Sequence, residues 1–367
     1  MGENKRVTIS GYYGFDNSGD DAILKAIVKD LKNKSNNITI TALSKNASST
    51  KQTYNIQAVD RFNIINVINE LYSTDMLISG GGSLLQDVTS TRAIIYYLTV
   101  IFIAKLFKKP VMVYANGIGP IKKRVNKYLT KKLLNKVDLI TLRDYKSKET
   151  LEKLGVKNKN IYVTSDPVFT LEHSSEERIK HIFNIEGIPL DKPLIGVNVR
   201  CWKDDKNIKK VISKTIDYLT RNLNINVVII PMHYPDDLEI GEDIIELIQD
   251  NCYILRNKYS VEDMMGIIGK LDLIIAMRLH SLIYAATQAI PMIGLVYDPK
   301  VEGFLNLLGI DTKIDINNLE LVELCTMIDE IWKNRSQFKS RLNEVRDKLK
   351  AKAYDNVSMA LDLLKSR

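Results

Sequence analysis

Residues 271–286 read LDLIIAMRLHSLIYAA, and the fold follows from how that stretch changes character. The run 273–277 is short, apolar and rich in isoleucine, as expected of a strand covered on both faces. Ser281 and the small, apolar segment 282–289 then read as a cap and its helix. Between strand and helix stand Arg278 and His280, the latter one of only four histidines in the chain. A cation and an imidazole at the carboxyl end of a buried strand lie where doubly wound sheets bind ligands. Two residues apart, they share a face if the backbone there is extended.

The same alternation recurs along the 367 residues. Strands are expected at 7–10, 38–42, 76–79, 111–115, 139–142 and 161–164, and again at 194–198, 227–231, 252–255 and 293–296. Helical patterns lie between them, as at 21–31. In 121–137, Ile121, Val125, Tyr128, Leu129, Leu133 and Val137 recur at helical spacing, with Lys123, Lys127 and Lys131 outside. Strands alternating with helices imply parallel sheets built of βαβ units. The pattern pauses over 166–192, which holds Pro167, Pro189 and the charged stretch SSEERIKHIF, and restarts at PLIGVNVR. The expected fold class is α/β: two Rossmann-like, doubly wound domains facing a cleft. Their expected bounds are 1–165 and 193–335, joined by 166–192 and followed over 336–367 by one or two charged amphipathic helices.

Composition narrows the function. Apolar residues make up 45% of the chain, enough for an ordinary core in each half. Cys201, Cys252 and Cys325 have neither disulfide nor zinc spacing, which suits a reducing compartment. MGENKRVTIS lacks the apolar core of a signal peptide, and the uncharged run 93–104, AIIYYLTVIFIA, is shorter than the roughly 20 residues of a membrane span. A cytoplasmic protein is expected, and a buried core helix at 93–104. The formal charge of +8 is uneven: residues 1–165 carry 26 Lys and Arg against 13 Asp and Glu. Ten basic residues and no acidic one fall between Lys105 and Lys136. That segment reads as a solvated helix face or as a surface for anionic lipid or a polyanion. No nucleic-acid-binding signature accompanies it.

Other strand ends resemble the first. GYYGFDNSGDDA, residues 11–22, places Asn17 and Asp20 where a strand turns into a helix that Ser18 or Asp20 would cap, an arrangement that offers N–H groups to an anion. MLISGGGSLLQD follows a strand with Gly80, Gly81 and Gly82, and Ser83 is placed to cap a helix. Those glycines admit either a ligand or close strand–helix packing. YANGIGPI brings Asn116 to a third such turn. In LITLRDYKS, Arg143 ends a strand, either as a ligand-binding arm or in an ion pair with Asp144 or another carboxylate. Lys300 follows the strand of PMIGLVYDPKVEGF. Converging on one cleft, Arg143, Arg278, His280 and Lys300 would select a small polyanion.

Taken in order, the DNSGDDA block, GGGSLLQD, NGIGP and RLHS resemble bacterial polysaccharide pyruvyl transferases, most closely the CsaB type of secondary cell-wall polysaccharide. Asp21 stands where that family often has Glu. The resemblance covers nearly the whole chain. It implies a GT-B-like fold, phosphoenolpyruvate as donor, and neither metal nor other cofactor. The implied acceptor is an N-acetylmannosamine (ManNAc) residue on a lipid-diphosphate-linked precursor at the inner face of the plasma membrane. The implied product is a 4,6-pyruvyl ketal of the kind that anchors S-layers. The family's donor pattern falls on Arg143, His280 and Lys300, with Arg278 beside them and His280 as the proton-transfer group, imidazole titrating near neutrality. Asn17, Asp20, Gly81, Gly82, Ser83 and Asn116 are the expected acceptor or cleft-lining residues. A nucleotide-sugar glycosyltransferase on the same fold and a non-catalytic binding protein are the alternatives.

Overall fold

In the computed structural model, which describes residues 4–88, 91–203 and 205–366, the chain divides into two units. One runs to Thr170 and takes the chain back from Leu349; the other spans Leu171–Lys348. The segment 166–192 holds a 3-10 turn, Pro167–Thr170, in the first unit and a helix in the second.

The first unit contains β1 (Lys5–Tyr13), α1 (Ser18–Lys34), β2 (Ile38–Ser44), α2 (Ala47–Tyr54), β3 (Gln57–Asp60), α3 (Ile64–Ser73), β4 (Met76–Ser79) and β5 (Gly82–Leu85). It continues with α4 (Thr91–Leu106), β6 (Val111–Ile118), α5 (Arg124–Leu134), β7 (Leu139–Leu142), α6 (Tyr145–Lys153) and β8 (Ile161–Val163). The sheet is parallel in the order β3-β2-β1-β4-β6-β7-β8, with β5 added against β6. In the second unit α7 (Glu176–Ile185) precedes β9 (Leu194–Asn198), α8 (Asp205–Leu223), β10 (Asn226–Ile229), α9 (Asp236–Ile245), β11 (Tyr253–Ile254) and α10 (Val261–Gly269). Then come β12 (Leu273–Ala276), α11 (Leu279–Thr287), β13 (Met292–Val296), α12 (Pro299–Leu308), β14 (Lys313–Asp315) and α13 (Leu321–Lys365). Its parallel sheet runs β11-β10-β9-β12-β13-β14.

Each sheet therefore grows one way from its first strand and then the other way. The reversal falls between β1 and β4 and between β9 and β12, and such switch points are where doubly wound sheets open a ligand crevice. The central strands are buried along their middles: Val7, Ile9, Leu77 and Ile78 in one unit and Ile195, Val197, Ile274 and Ile275 in the other are all enclosed.

Several local expectations change. Asn17, not Ser18 or Asp20, caps α1: its Oδ1 accepts from the Gly19 amide at 3.1 Å, while Asp20 and Asp21 occupy the first turn, where the helix dipole favours them. Ser83 caps no helix; it lies in β5. The strands β3, β5 and β14 carry too little apolar pattern in QAVD, GSLL and KID to be read beforehand. The tail is one continuous helix, α13, and Asn356 secures its last part to the first unit, accepting from Thr164 Oγ1 at 2.8 Å and donating to the Ser165 carbonyl at 3.1 Å. In α5, Val125 and Tyr128 are exposed, and Asn126, Thr130, Leu133 and Leu134 face inward. Asp87 causes that rotation by accepting the Lys122 and Lys123 amides and the Asn126 side chain at 2.7–2.9 Å. Nor is α4 a buried core helix: Ile94, Tyr97, Leu98, Val100, Ile101 and Ala104 pack inward, while Ile95, Phe102 and Leu106 face out.

Buried Asp30 on α1 accepts from Thr170 Oγ1 at 2.8 Å. Burial lifts its carboxyl to about 6, against the opposing hydrogen bond. The folded pKa thus exceeds the unfolded value of about 3.9, so the native state binds the extra proton. This raised group contributes stability below about pH 4 that is lost as pH rises through about 6. Asp30→Asn is expected to stabilise the protein at pH 7.5 by about 1–3 kcal/mol, seen as a higher thermal midpoint. The gain should fade as pH falls from 6 to 4, as melting curves across that range would show.

Candidate functional site

In the second unit the switch-point loops bring together three of the expected residues. Arg278, in extended backbone, is the N-cap of α11, and His280 lies in that helix's first turn. The two therefore do not alternate along an extended strand, and Ser281 is a helical residue rather than the cap. Lys300 lies in the first turn of α12, whose cap is Asp298, accepting the Lys300 amide at 3.0 Å. Helices α11 and α12 follow the neighbouring strands β12 and β13 and pack on each other. Both direct their positive N-terminal ends to the same edge of the sheet.

Each cation there has a defined setting. Asp237, fully buried at the start of α9, receives Arg278 Nε and Nη2 at 2.5 Å each, along with the Met232 and His233 amides at 3.1 Å. Burial works against the charge of Arg278, but Asp237 outweighs it and holds the guanidinium above the ordinary arginine range. Asn198, buried at the end of β9, accepts the Arg278 amide at 3.0 Å and donates to the Ile230 carbonyl at 2.9 Å, joining three strand ends. Lys300 Nζ lies 3.7 Å from Asp298 and 5.8 Å from the ring centre of Tyr297. Arg200, just past the end of β9, also meets that tyrosine: its Nη1 donates to the Tyr297 hydroxyl at 3.3 Å, and its Cζ stands 5.0 Å from the ring. Trp202 meets Tyr297 edge-on at 4.9 Å. Arg200, Asn198, Asp237 and Tyr297 were not singled out from sequence. For Arg200 the signal was present, since a cation directly after the buried run LIGVNV is the pattern that marked Arg143.

In the first unit Arg143 is buried and already engaged. Its Nη1 lies 3.3 Å from Asp166, its Nε 3.7 Å from Asp144, and its Nη2 donates to Ser83 Oγ at 2.9 Å. This is the ion-pair alternative, so Arg143 is not an open arm. Burial lifts the Asp166 carboxyl even though Arg143 opposes it. Gly117 is required here: a Cβ would stand 2.7 Å from Arg143 Nη2. Asn116 is fully buried and ties β6 to the turn after β4, donating to the Ser79 and Gly80 carbonyls at 3.2 and 2.7 Å; it does not line an open surface. The glycine run after β4 is explained by packing as much as by ligand access. A Cβ on Gly80 would strike the Tyr13 hydroxyl, one on Gly81 would press Ile23, and only Gly82, at φ +91°, faces Asp20. Asn17, Asp20 and Ser83 are half-buried at the rim.

The same rim holds a buried arginine that sequence reasoning missed, because it follows the unrecognised strand β3. Arg61 Nη1 donates to the Gly11 carbonyl at 2.9 Å, and its Cζ lies 4.2–5.4 Å from the rings of Tyr96, Phe15 and Tyr97. A cavity of about 480 Å³ lies elsewhere, bordered by Leu308, Gly309, Phe338 and Arg341, and none of the expected site residues lines it.

Two doubly wound units with chemistry-bearing side chains at the carboxyl ends of their strands define a GT-B-like class of protein. Solved structures share this fold. Anabaena Alr3699/HepE, determined in complex with UDP-glucose, matches with a TM-score of 0.67 at 10% identity over 97% of this chain and 99% of its own. A putative UDP-N-acetylglucosamine 2-epimerase from Listeria monocytogenes matches at 0.68 and 12% identity, over 97% of this chain and 94% of its own. Within that class the family is set by sequence: residues 17–299 match the polysaccharide pyruvyl transferase model, and the chain belongs to that family. The amylovoran biosynthesis protein AmsJ of Erwinia amylovora is 21% identical over 294 residues, 75% of this chain and 69% of its own.

Proposed function

We propose that this enzyme transfers the enolpyruvyl group of phosphoenolpyruvate to a ManNAc residue of a lipid-diphosphate-linked cell-wall polysaccharide precursor, closes a 4,6-ketal and releases phosphate. The observation that carries the reading is the group of cations at the ends of β9, β12 and β13. Arg200 and Lys300 both contact Tyr297, and Arg278 and His280 open α11 on the same edge. Phosphoenolpyruvate carries a carboxylate and a phosphate, and two helix N-termini with three cations answer that charge. Asp237 engages Arg278 through Nε and Nη2, leaving Nη1 to meet the donor.

In this reading His280 delivers a proton to the methylene carbon C3, and C2 becomes an oxocarbenium-like electrophile. One sugar hydroxyl attacks C2, the bond from C2 to the phosphate oxygen breaks, and the second hydroxyl closes the ring. Of the two hydroxyl protons, one restores the acid and one leaves with phosphate, whose growing charge Arg200 and Lys300 stabilise. Asn17, Asp20 and Ser83 are assigned to the acceptor, with Arg143 holding Ser83 in place. The reaction needs no metal or other cofactor. The proposed setting is the cytoplasm, peripheral to the inner face of the plasma membrane, and the proposed role is S-layer anchoring.

The competing reading, a glycosyltransferase using a nucleotide sugar, draws on fold likeness alone. Thermal unfolding separates the two. Phosphoenolpyruvate at a hundred times its Kd is expected to stabilise the protein by about 2.7 kcal/mol, and UDP-glucose or UDP-N-acetylglucosamine not at all. Protection by a UDP-sugar without protection by phosphoenolpyruvate would favour the rival.

A further inference from the structure

The first unit carries an apolar face that the transfer chemistry does not use. Helices α3, α4 and α5 lie side by side, with α4 packed against both neighbours. Each buries one stripe in the core beneath and presents a second apolar stripe outward. On α3, Val67 and Leu71 pack inward, while Ile64, Ile65, Ile68 and Tyr72 are exposed. On α4 the outward positions 92, 95, 99, 102 and 106 are Arg, Ile, Thr, Phe and Leu. On α5 they include Val125 and Tyr128. Ile65, Tyr72, Leu106, Val125 and Tyr128 are 72, 68, 64, 66 and 61% exposed, far beyond the scattered contacts of an ordinary surface. A helix apolar on all sides is normally enclosed by protein or lipid.

Charge identifies the occupant. Lys108, just after α4, and Lys122, Lys123, Arg124, Lys127, Lys131, Lys132 and Lys136, on or next to α5, are exposed. Glu70 is the single acidic residue in the three helices, and it is turned to the sheet, accepting from Thr8 Oγ1 at 2.9 Å and standing 3.9 Å from Arg6. Apolar side chains bordered on the α5 side by cations match the boundary between acyl chains and anionic head groups. A second copy of this chain would bring like charges together. Among the described residues no helix is long and apolar enough to cross a membrane, so the contact would be a surface one.

We propose that the outer face of α3–α4–α5 docks on an anionic lipid bilayer, with Ile65, Tyr72, Phe102, Leu106 and Tyr128 entering the interface and the lysines of 122–132 meeting the head groups. The inference stands on this face alone and does not depend on phosphoenolpyruvate. Flotation of the full chain with vesicles of phosphatidylcholine containing about one-third phosphatidylglycerol tests it. Binding is expected to be at least tenfold stronger than to phosphatidylcholine alone. It should fall at least tenfold both in Lys123→Glu/Lys127→Glu/Lys131→Glu and in Ile65→Ser/Phe102→Ser/Leu106→Ser, with melting midpoints close to wild type. No binding of the wild type to anionic vesicles would overturn the proposal. So would light scattering that shows a dimer which the serine variant dissociates while its vesicle binding is unchanged. Because vesicle binding is read without donor or acceptor, its failure is distinguishable from failure of pyruvyl transfer.

Discussion

His280→Ala is expected to lower ketal formation by about a hundred- to ten-thousandfold, the usual contribution of a positioned general acid. The fold should be unaffected, because the side chain stands at the first turn of α11 rather than in the core. Stabilisation by phosphoenolpyruvate should persist within a few-fold, since Arg200, Arg278 and Lys300 remain. That split is diagnostic: kcat falls and donor binding stays. Loss of both together would make His280 a binding residue, and turnover within tenfold of wild type would end the acid assignment. Lys300→Ala should instead weaken donor binding and slow phosphate departure together, lowering both kcat and stabilisation by phosphoenolpyruvate.

The second large effect is structural. Asp237→Ala leaves Arg278 charged and largely buried without its carboxylate, and it orphans the Met232 and His233 amides. Breaking a buried pair in this way costs about 3–5 kcal/mol. For a unit of this size that is a fall in the thermal midpoint of about 6–20 °C. Asp237→Leu combined with Arg278→Met removes both charges and should recover a good part of that loss, yet donor binding should stay weak because the guanidinium is gone. Recovery of donor binding with stability would assign Arg278 to the fold alone.

Much of the fold was legible because the central strands of both sheets are enclosed on two faces. LIIA is apolar without interruption, and LIGVN and LITL depart from that only at Gly196, Asn198 and Thr141, so the buried-strand signal stands out. Edge strands such as QAVD and KID owe their form to a single neighbour, so tertiary pairing decided what propensity left open. The α5 face was misread because Asp87, distant in sequence, fixes the rotation of the helix through the Lys122 and Lys123 amides and the Asn126 side chain. The α4 run was read as core because hydrophobicity cannot say which apolar side meets protein. At the site, cations following strands were visible, and Arg278, His280 and Lys300 do gather on one edge. Their partners were not visible: Asp237 and Asp166 come from other segments, and no local pattern announces a carboxylate that neutralises an arginine from 41 or 23 residues away. Arg143 reads from sequence either as a ligand-binding arm or as half of an ion pair, and the second of these holds, with Asp166 as well as Asp144.

Phosphoenolpyruvate, not a nucleotide sugar, is the proposed source of the transferred group. The direct measurement is mass spectrometry of a synthetic lipid-linked ManNAc–GlcNAc acceptor incubated with the enzyme and both classes of donor. Transfer from phosphoenolpyruvate gives an acceptor heavier by one pyruvate less one water, with one phosphate released per product. An acceptor heavier by a sugar residue, with nucleoside diphosphate released and phosphoenolpyruvate unconsumed, would contradict it.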